Sequence, residues 1–186
     1  MSWKLVSSAL TAVFVLAFVT PSTAADELYG RSGPYVAGGG TYAFQEFSGS
    51  ASKHDSPDNA WGYQIKGGYR FNEWFALEID WSHLPKFGDS TGDTEVLQLD
   101  ADAKFYPFHG IVQPYLLAGA GWNSVNDKRA GGDDTNGAGF RFGGGLDFYI
   151  TRNWGLYTEA DYLLGTGSRS NYGSVPLSFG VLYRFY

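Results

Sequence analysis

A chain of 186 residues with no cysteine and a formal charge of −6 has room for one ordinary domain. It cannot build a disulfide framework, a thiolate metal site or a cysteine nucleophile. The acidic balance, with no basic run, argues against nucleic acid as a partner, because duplex binding needs clustered Lys and Arg to displace counterions.

Taken in chain order, Lys4 precedes an uncharged stretch, residues 5–19, which is followed by Pro21 and the small residues Ser22 and Ala24. This is the grammar of a secretory signal. Residues 1–24 are expected to be the signal peptide, cut after Ala24, with residues 25–186 forming one barrel domain. The apolar run falls short of the roughly 20 residues that a helix needs to cross ~30 Å of hydrocarbon, and nothing later comes near that length. Any membrane crossing must be made by strands.

Eight segments alternate apolar and polar residues: 35–44, 60–71, 74–83, 96–106, 112–123, 139–150, 154–164 and 174–186. Each has about the ten residues that a tilted transmembrane strand requires. In the second, Trp61, Tyr63, Ile65, Tyr69 and Phe71 share one face, and Gln64, Lys66 and Arg70 the other. The third sets Phe75, Leu77, Ile79 and Trp81 against Glu78, Asp80 and Ser82. The fourth sets Leu97, Leu99 and Phe105 against Gln98, Asp100, Asp102 and Lys104. The sixth and seventh follow, with Phe140, Phe142, Leu146 and Phe148 opposed to Arg141 and Asp147, and Leu156, Ala160 and Tyr162 opposed to Glu159 and Asp161. Glycine and alanine blur the faces of the first and fifth. A slip of one residue would move charge into hydrocarbon at about 2–4 kcal/mol for each Lys or Arg at mid-bilayer, which pins the register.

The connections alternate too. Short links fall at residues 72–73, 107–111 and 151–153, and long polar ones at 45–59, 84–95, 124–138 and 165–173. Short turns on the periplasmic side and long loops outside are the asymmetry of an outer-membrane barrel. An open sheet would leave edge N–H and C=O groups unpaired in lipid, so the strands must close. The expected fold is an all-β, eight-stranded antiparallel up-and-down transmembrane β-barrel. Small residues such as Gly39, Gly68, Gly119, Gly143 and Gly145 would make room in its narrow interior for charged side chains. A soluble lipocalin-type barrel is the structural rival. The gathering of Trp61, Phe71, Trp74, Phe75, Trp81, Trp122, Phe148 and Trp154 toward segment ends, as interfacial girdles, speaks against it.

The runs Gly67-Gly68-Tyr69-Arg70-Phe71 and Gln113-Pro114-Tyr115-Leu116-Leu117-Ala118-Gly119-Ala120-Gly121, and the terminal Gly180-Val181-Leu182-Tyr183-Arg184-Phe185, carry a resemblance over essentially the whole mature chain. It resembles the small outer-membrane barrels of the OmpA-transmembrane-domain, OmpX and opacity-protein type. The resemblance implies an outer-membrane protein without enzymatic activity that stabilises the membrane and presents loops outward. It also implies barrel-assembly machinery and periplasmic chaperones as partners during biogenesis. Tyr183, Phe185 and Tyr186 resemble the assembly signal, displaced by one residue because Tyr186 follows Phe185.

The inward face collects Glu78, Asp80, Asp100, Asp102, Asp147, Glu159 and Asp161 against Lys66, Arg70, Lys104, Arg141 and Arg184. In so narrow a lumen these are expected to pair as a plug of salt bridges, because a lone buried charge costs several kcal/mol. The competing classes are a small ion-conducting pore and a lipid-A-modifying enzyme. For the enzyme, Ser82 and His83 point to opposite faces of a strand and make a poor dyad, and His54 and His109 are expected in solvated connections. No catalytic, cofactor or metal site is legible. Asp133, Asp134 and Asn136 lack the spacing of a calcium loop, and Gly143-Gly144-Gly145 opens no helix for phosphate. Lys53, Lys86, Lys128, Arg129 and Arg169, placed in outer loops, would meet lipopolysaccharide phosphates. Pro176 would interrupt the ladder near the outer end of the last strand. Outer-membrane lipid and lipopolysaccharide are the expected surroundings, and a closed barrel is expected to stand as a monomer.

Overall fold

The computed structural model describes residues 29–47, 60–87, 94–127, 135–165 and 172–185; the expected signal peptide lies outside them. Alternation of side chains over eight segments yields eight strands: β1 (Gly33–Phe47), β2 (Ala60–Arg70), β3 (Phe75–Phe87), β4 (Thr94–Phe105), β5 (Val112–Asp127), β6 (Thr135–Tyr149), β7 (Trp154–Gly165) and β8 (Tyr172–Arg184). Each pairs antiparallel with its sequence neighbours, and β8 returns to β1 to close the barrel. Closure leaves no edge to aggregate or to face lipid unpaired.

The register fixes the shape. Following hydrogen-bonded partners from Val36 through Gly67, Ile79, Ala101, Ala120, Phe140, Leu164 and Gly173 returns to β1 at Glu46, ten residues further along. With strands ~4.8 Å apart and ~3.3 Å per residue, that displacement corresponds to a tilt of about 40° and a radius of about 8 Å. Side chains fill an interior of that width.

The apolar face is outside. Trp61 and Ile79 are 61% and 60% exposed, whereas Lys66 and Arg70, on the opposite face of β2, are each 1% exposed. A water-soluble protein does not display such a continuous apolar belt; it calls for hydrocarbon. The soluble-barrel alternative therefore falls. Phe71, Trp74, Phe75, Phe105, Phe148 and Trp154 ring the short-turn end, and Trp61 and Trp122 stand exposed toward the other. Ile79 lies outward in this belt, four residues along β3 from Phe75 of the short-turn ring and across from Gly67 and Ala101. Ile79→Arg should cost about 2–4 kcal/mol, read as a lowered urea midpoint in lipid vesicles. Asn136→Arg, at the exposed outer end of β6, should stay within about 0.5 kcal/mol.

Two sequence expectations need correction. Strands run further than the alternation does: β1 continues to Phe47, β3 to Phe87 and β5 to Asp127, and β4, β6 and β8 begin at Thr94, Thr135 and Tyr172. Beyond the hydrocarbon both faces of a ribbon meet water, so pairing no longer demands an apolar side and alternation stops reporting it. His109 is also not solvated. It is buried, its Nε2 lies 3.2 Å from the Tyr106 carbonyl, and the Trp74 ring meets it edge-on at 4.4 Å. The short turn between β4 and β5 folds back over the barrel mouth and encloses it. His54 lies outside the described residues.

Pro176 sits within β8, opposite Ala43 of β1. The β7–β8 ladder runs through Ala160↔Leu177 and resumes at Leu163↔Ser174. The two positions between, including Pro176, make no registered pair with β7, as expected for a residue without an N–H.

Candidate functional site

The inward faces build a charged column in three layers. At the short-turn mouth, Arg70 donates to Gln113 Oε1 at 2.5 Å and to the carbonyls of Asn72 and Glu73, and it stacks 4.0 Å from the Tyr106 ring centre. Arg184 donates to the carbonyls of Tyr29 and Arg31 and lies over the Tyr149 ring. Gln113 gathers the carbonyls of Tyr29, His109 and Gly110. The segment entering β1 is thereby tied across the opening. Tyr106, in the turn after β4, donates its hydroxyl to Asp147 at 3.1 Å. Burial, seconded by that carboxylate, pushes the phenol well above its ordinary range and keeps it a donor.

The middle layer centres on two lysines. Lys66 Nζ lies 2.5 Å from Glu159, 3.3 Å from Glu78 and 3.3 Å from Asp80. Lys104 Nζ lies 2.8 Å from Glu78 and 3.3 Å from Glu159, over the face of Tyr115. The hydroxyls of Tyr35 and Tyr115 donate to Glu78 and Glu159 at 2.8 and 2.7 Å. Above them one guanidinium, Arg141, meets five carboxylates. Nη1 reaches Asp80 at 2.9 Å and Asp100 at 3.2 Å; Nη2 reaches Glu159 at 2.9 Å, Asp102 at 3.2 Å and Asp161 at 3.7 Å. A neutral layer follows, with Gln64 donating to Tyr157, Gln98 to Asp100 and Ser178 to Thr41.

All twelve residues expected inside are buried. They divide, however, rather than forming one network. Lys66, Lys104 and Arg141 join Glu78, Asp80, Asp100, Asp102, Glu159 and Asp161. Arg70 turns instead to an amide, carbonyls and an aromatic face, Arg184 reaches the carbonyls of the entering segment, and Asp147 accepts from a phenol.

Glycine placement explains how so many carboxylates fit. Glu78, Asp100, Asp102, Glu159 and Asp161 have Gly68, Gly121, Gly119, Gly145 and Gly143 as cross-strand partners. A Cβ on Gly119 would stand 2.0 Å from Asp102 Oδ1, and one on Gly121 would stand 1.9 Å from Asp100 Oδ1. At Gly119, Gly121 and Gly143 the missing side chain lets the opposite acid lean over the neighbouring strand, whereas at Gly68 and Gly145 the space is filled by the Tyr35 and Tyr115 rings whose hydroxyls donate to Glu78 and Glu159. Gly39 departs from this expectation: it faces Gly180 backbone to backbone, and accommodates the approach of two strands rather than a charge.

One polar chain lies on the outer wall. His83 Nδ1 is 2.8 Å from the Tyr63 hydroxyl and its Nε2 is 2.6 Å from Glu95, joining β2, β3 and β4. Ser82 is buried on the opposite face. Sequence reading missed this triplet, because the signal lies in the hairpin register, which sets Tyr63 beside His83. Among the expected outer-loop bases, Lys53, Lys128, Arg129 and Arg169 lie outside the described residues, as do Asp133, Asp134 and Tyr186. Tyr183 and Phe185 meet edge-on at 4.9 Å, and Phe185 is exposed. Among the described residues, no three His, Cys, Asp or Glu groups are arranged to hold a metal.

An apolar exterior, a closed eight-strand sheet and an interior filled with ion pairs define a small integral membrane barrel. The chain belongs to the outer membrane protein beta-barrel domain family, whose model matches residues 10–185, and its place is the outer membrane. Among solved structures it is similar to Neisserial surface protein A, at 23% identity and TM-score 0.68, covering 83% of this chain and 98% of that one. It is also similar to Ail, the attachment invasion locus protein of Yersinia pestis, at 19% identity and TM-score 0.60, covering 83% and 100%. OprG of Pseudomonas aeruginosa follows at 14% identity and TM-score 0.59, covering 86% and 99%. These likenesses show the fold. No curated protein matches the chain.

Proposed function

We propose that this protein is a plugged, non-enzymatic, monomeric anchor that presents its four outer connections above the membrane. The observation that carries this reading is strand pairing sustained up to those connections: Phe47 pairs with Tyr172, Thr94 with Asp127 and Val125 with Thr135. The periplasmic links are tight turns. A pedestal on one side only is what display requires.

The occupied lumen supports a plug over a pore, and a closed sheet offers no edge for self-association. Against an enzyme stands His83, held between a phenol and a carboxylate on the face away from Ser82. Attachment is named for one relative, Ail, of which a complex with the heparin analogue sucrose octasulfate exists. Here residues 48–59, 88–93, 128–134 and 166–171 hold Lys53, Lys128, Arg129 and Arg169 against Asp55, Asp58, Asp89, Asp93, Asp133 and Asp134. That balance gives no basic field for a polyanion. Outer-leaflet lipopolysaccharide remains the surrounding lipid, with barrel-assembly machinery and periplasmic chaperones acting before insertion through the terminal Tyr183, Phe185 and Tyr186.

Cells displaying the chain should adhere to cultured host cells, and a variant with the four connections replaced by short turns should lose adhesion while still folding. Planar-bilayer recordings should show no conductance above bare lipid. Unchanged adhesion by the trimmed barrel would remove the display reading; steady conductance would replace the plug with a pore.

A further inference from the structure

Residues 29–31 lie outside the sheet, since β1 begins at Gly33, yet they are held from two walls of the barrel. The Tyr29 carbonyl accepts from Arg184, at the end of β8, and from Gln113 Nε2 of β5 at 3.2 Å. Those strands stand three apart by the shorter way around the closed sheet, so an oxygen gripped from both stands over the lumen. Arg184 Nη2 also donates to the Arg31 carbonyl at 2.9 Å. The Tyr29 ring tilts over Tyr149 at 5.6 Å and packs on the buried cluster that includes Ala76, Tyr106 and Leu182.

The hinge is Gly33. Its φ of +153° is a conformation that L side chains rarely adopt, and a Cβ there would stand 3.0 Å from the Phe185 carbonyl oxygen. It lets the chain leave the line of β1 and turn across the mouth. Side chains grip the segment and no ladder does, so it can lift while the sheet stays paired. What lies beneath takes water readily. Asp147 is buried with its Oδ1 accepting no hydrogen bond, and it shares the mouth layer with Tyr106. A buried polar oxygen without a donor is where an entering water finds a partner.

We propose that residues 29–31 are a strap, hinged at Gly33, that closes the short-turn end of the lumen and keeps water off the layer of Tyr106 and Asp147. The ion-paired column beyond is shut by its own side chains. The lumen therefore has two independent closures, and lifting the strap wets only the first layer. The inference rests on the plugged reading of the lumen and refines it.

The chain has no cysteine, so a single introduced thiol reports access. Ala76→Cys sits in the mouth layer, inward and across from Arg70. Ser178→Cys lies beyond Arg141, where Ser178 meets Thr41. Each is placed in the full chain and in a variant lacking residues 25–31, folded in detergent micelles. The unboiled gel shift verifies the barrel, and a small charged methanethiosulfonate is the reagent. Loss of the strap should speed labelling at position 76 by about tenfold or more, the scale of a local opening made permanent, and leave position 178 unchanged. Tyr29→Gly, which removes the ring contact and keeps the chain length, should raise the rate in part. It carries the test where the deletion variant does not fold, and unchanged labelling then overturns the proposal. Equal rates at position 76 with and without the strap also overturn it, as does a thiol there that labels freely in the intact chain. So does an equal rise at both positions, which would mean general loosening. Bilayer conductance is read separately: a failed strap in a non-conducting barrel leaves the plug standing, whereas steady conductance removes both.

Discussion

Arg141→Ala should prevent stable folding: the unboiled protein should lose most of its faster-migrating band, with destabilisation of about 3–5 kcal/mol or more. Arg141 is the one cation reaching Asp80, Asp100, Asp102, Glu159 and Asp161 together. Its removal leaves six buried carboxylates facing two lysines. The loss is electrostatic rather than volumetric, and this has a distinguishing consequence. Adding Asp100→Asn and Asp102→Asn to the alanine variant should restore part of the folded fraction, because each amide removes a charge without removing bulk. Arg141→Lys should fall between, keeping the charge but not the planar fork that spans both rows of acids. If the triple variant is no more stable than Arg141→Ala, charge balance is not what Arg141 supplies.

Gly39→Val and Gly180→Val should each cost about 3 kcal/mol or more, at the upper end of overpacking effects. The two glycines face each other where β8 closes on β1. A Cβ at Gly39 would lie 2.0 Å from the Phe179 carbonyl oxygen and 2.6 Å from the Gly180 Cα; one at Gly180 would lie 2.2 Å from the Gly38 carbonyl oxygen. These obstacles are backbone, so no rotamer change relieves them and the seam itself must move. Gly67→Ala, where a Cβ would meet nothing within 4 Å, is the contrasting substitution and should be close to neutral. Urea titration in vesicles measures all three. Equal midpoints for Gly39→Val and Gly67→Ala would show that the seam has slack the geometry does not reveal.

The alternation in residues 60–71, 74–83 and 96–106 already placed Lys66, Arg70, Glu78, Asp80, Asp100, Asp102 and Lys104 on the enclosed face, and the structure buries each. That much is legible because a strand turns its side chains with a period of two, and lipid tolerates only one kind of face. The ends of the strands are not so legible, since pairing continues where both faces are wet. Nor could periodicity have foreseen that His109 is packed under Trp74, which requires the turn to fold back over the mouth.

Sequence by itself determined that there are eight spanning strands, which residues line the lumen and which side of the wall meets hydrocarbon. Only the tertiary structure decided which charges meet. Lys66 finds Glu159 ninety-three positions away, and Arg141 finds Asp80 sixty-one away. Those encounters depend on the ten-residue displacement accumulated around the closed sheet, a property of all eight registers together. Local alternation puts a charge inside; only the closed sheet settles the height and the wall at which another charge awaits it.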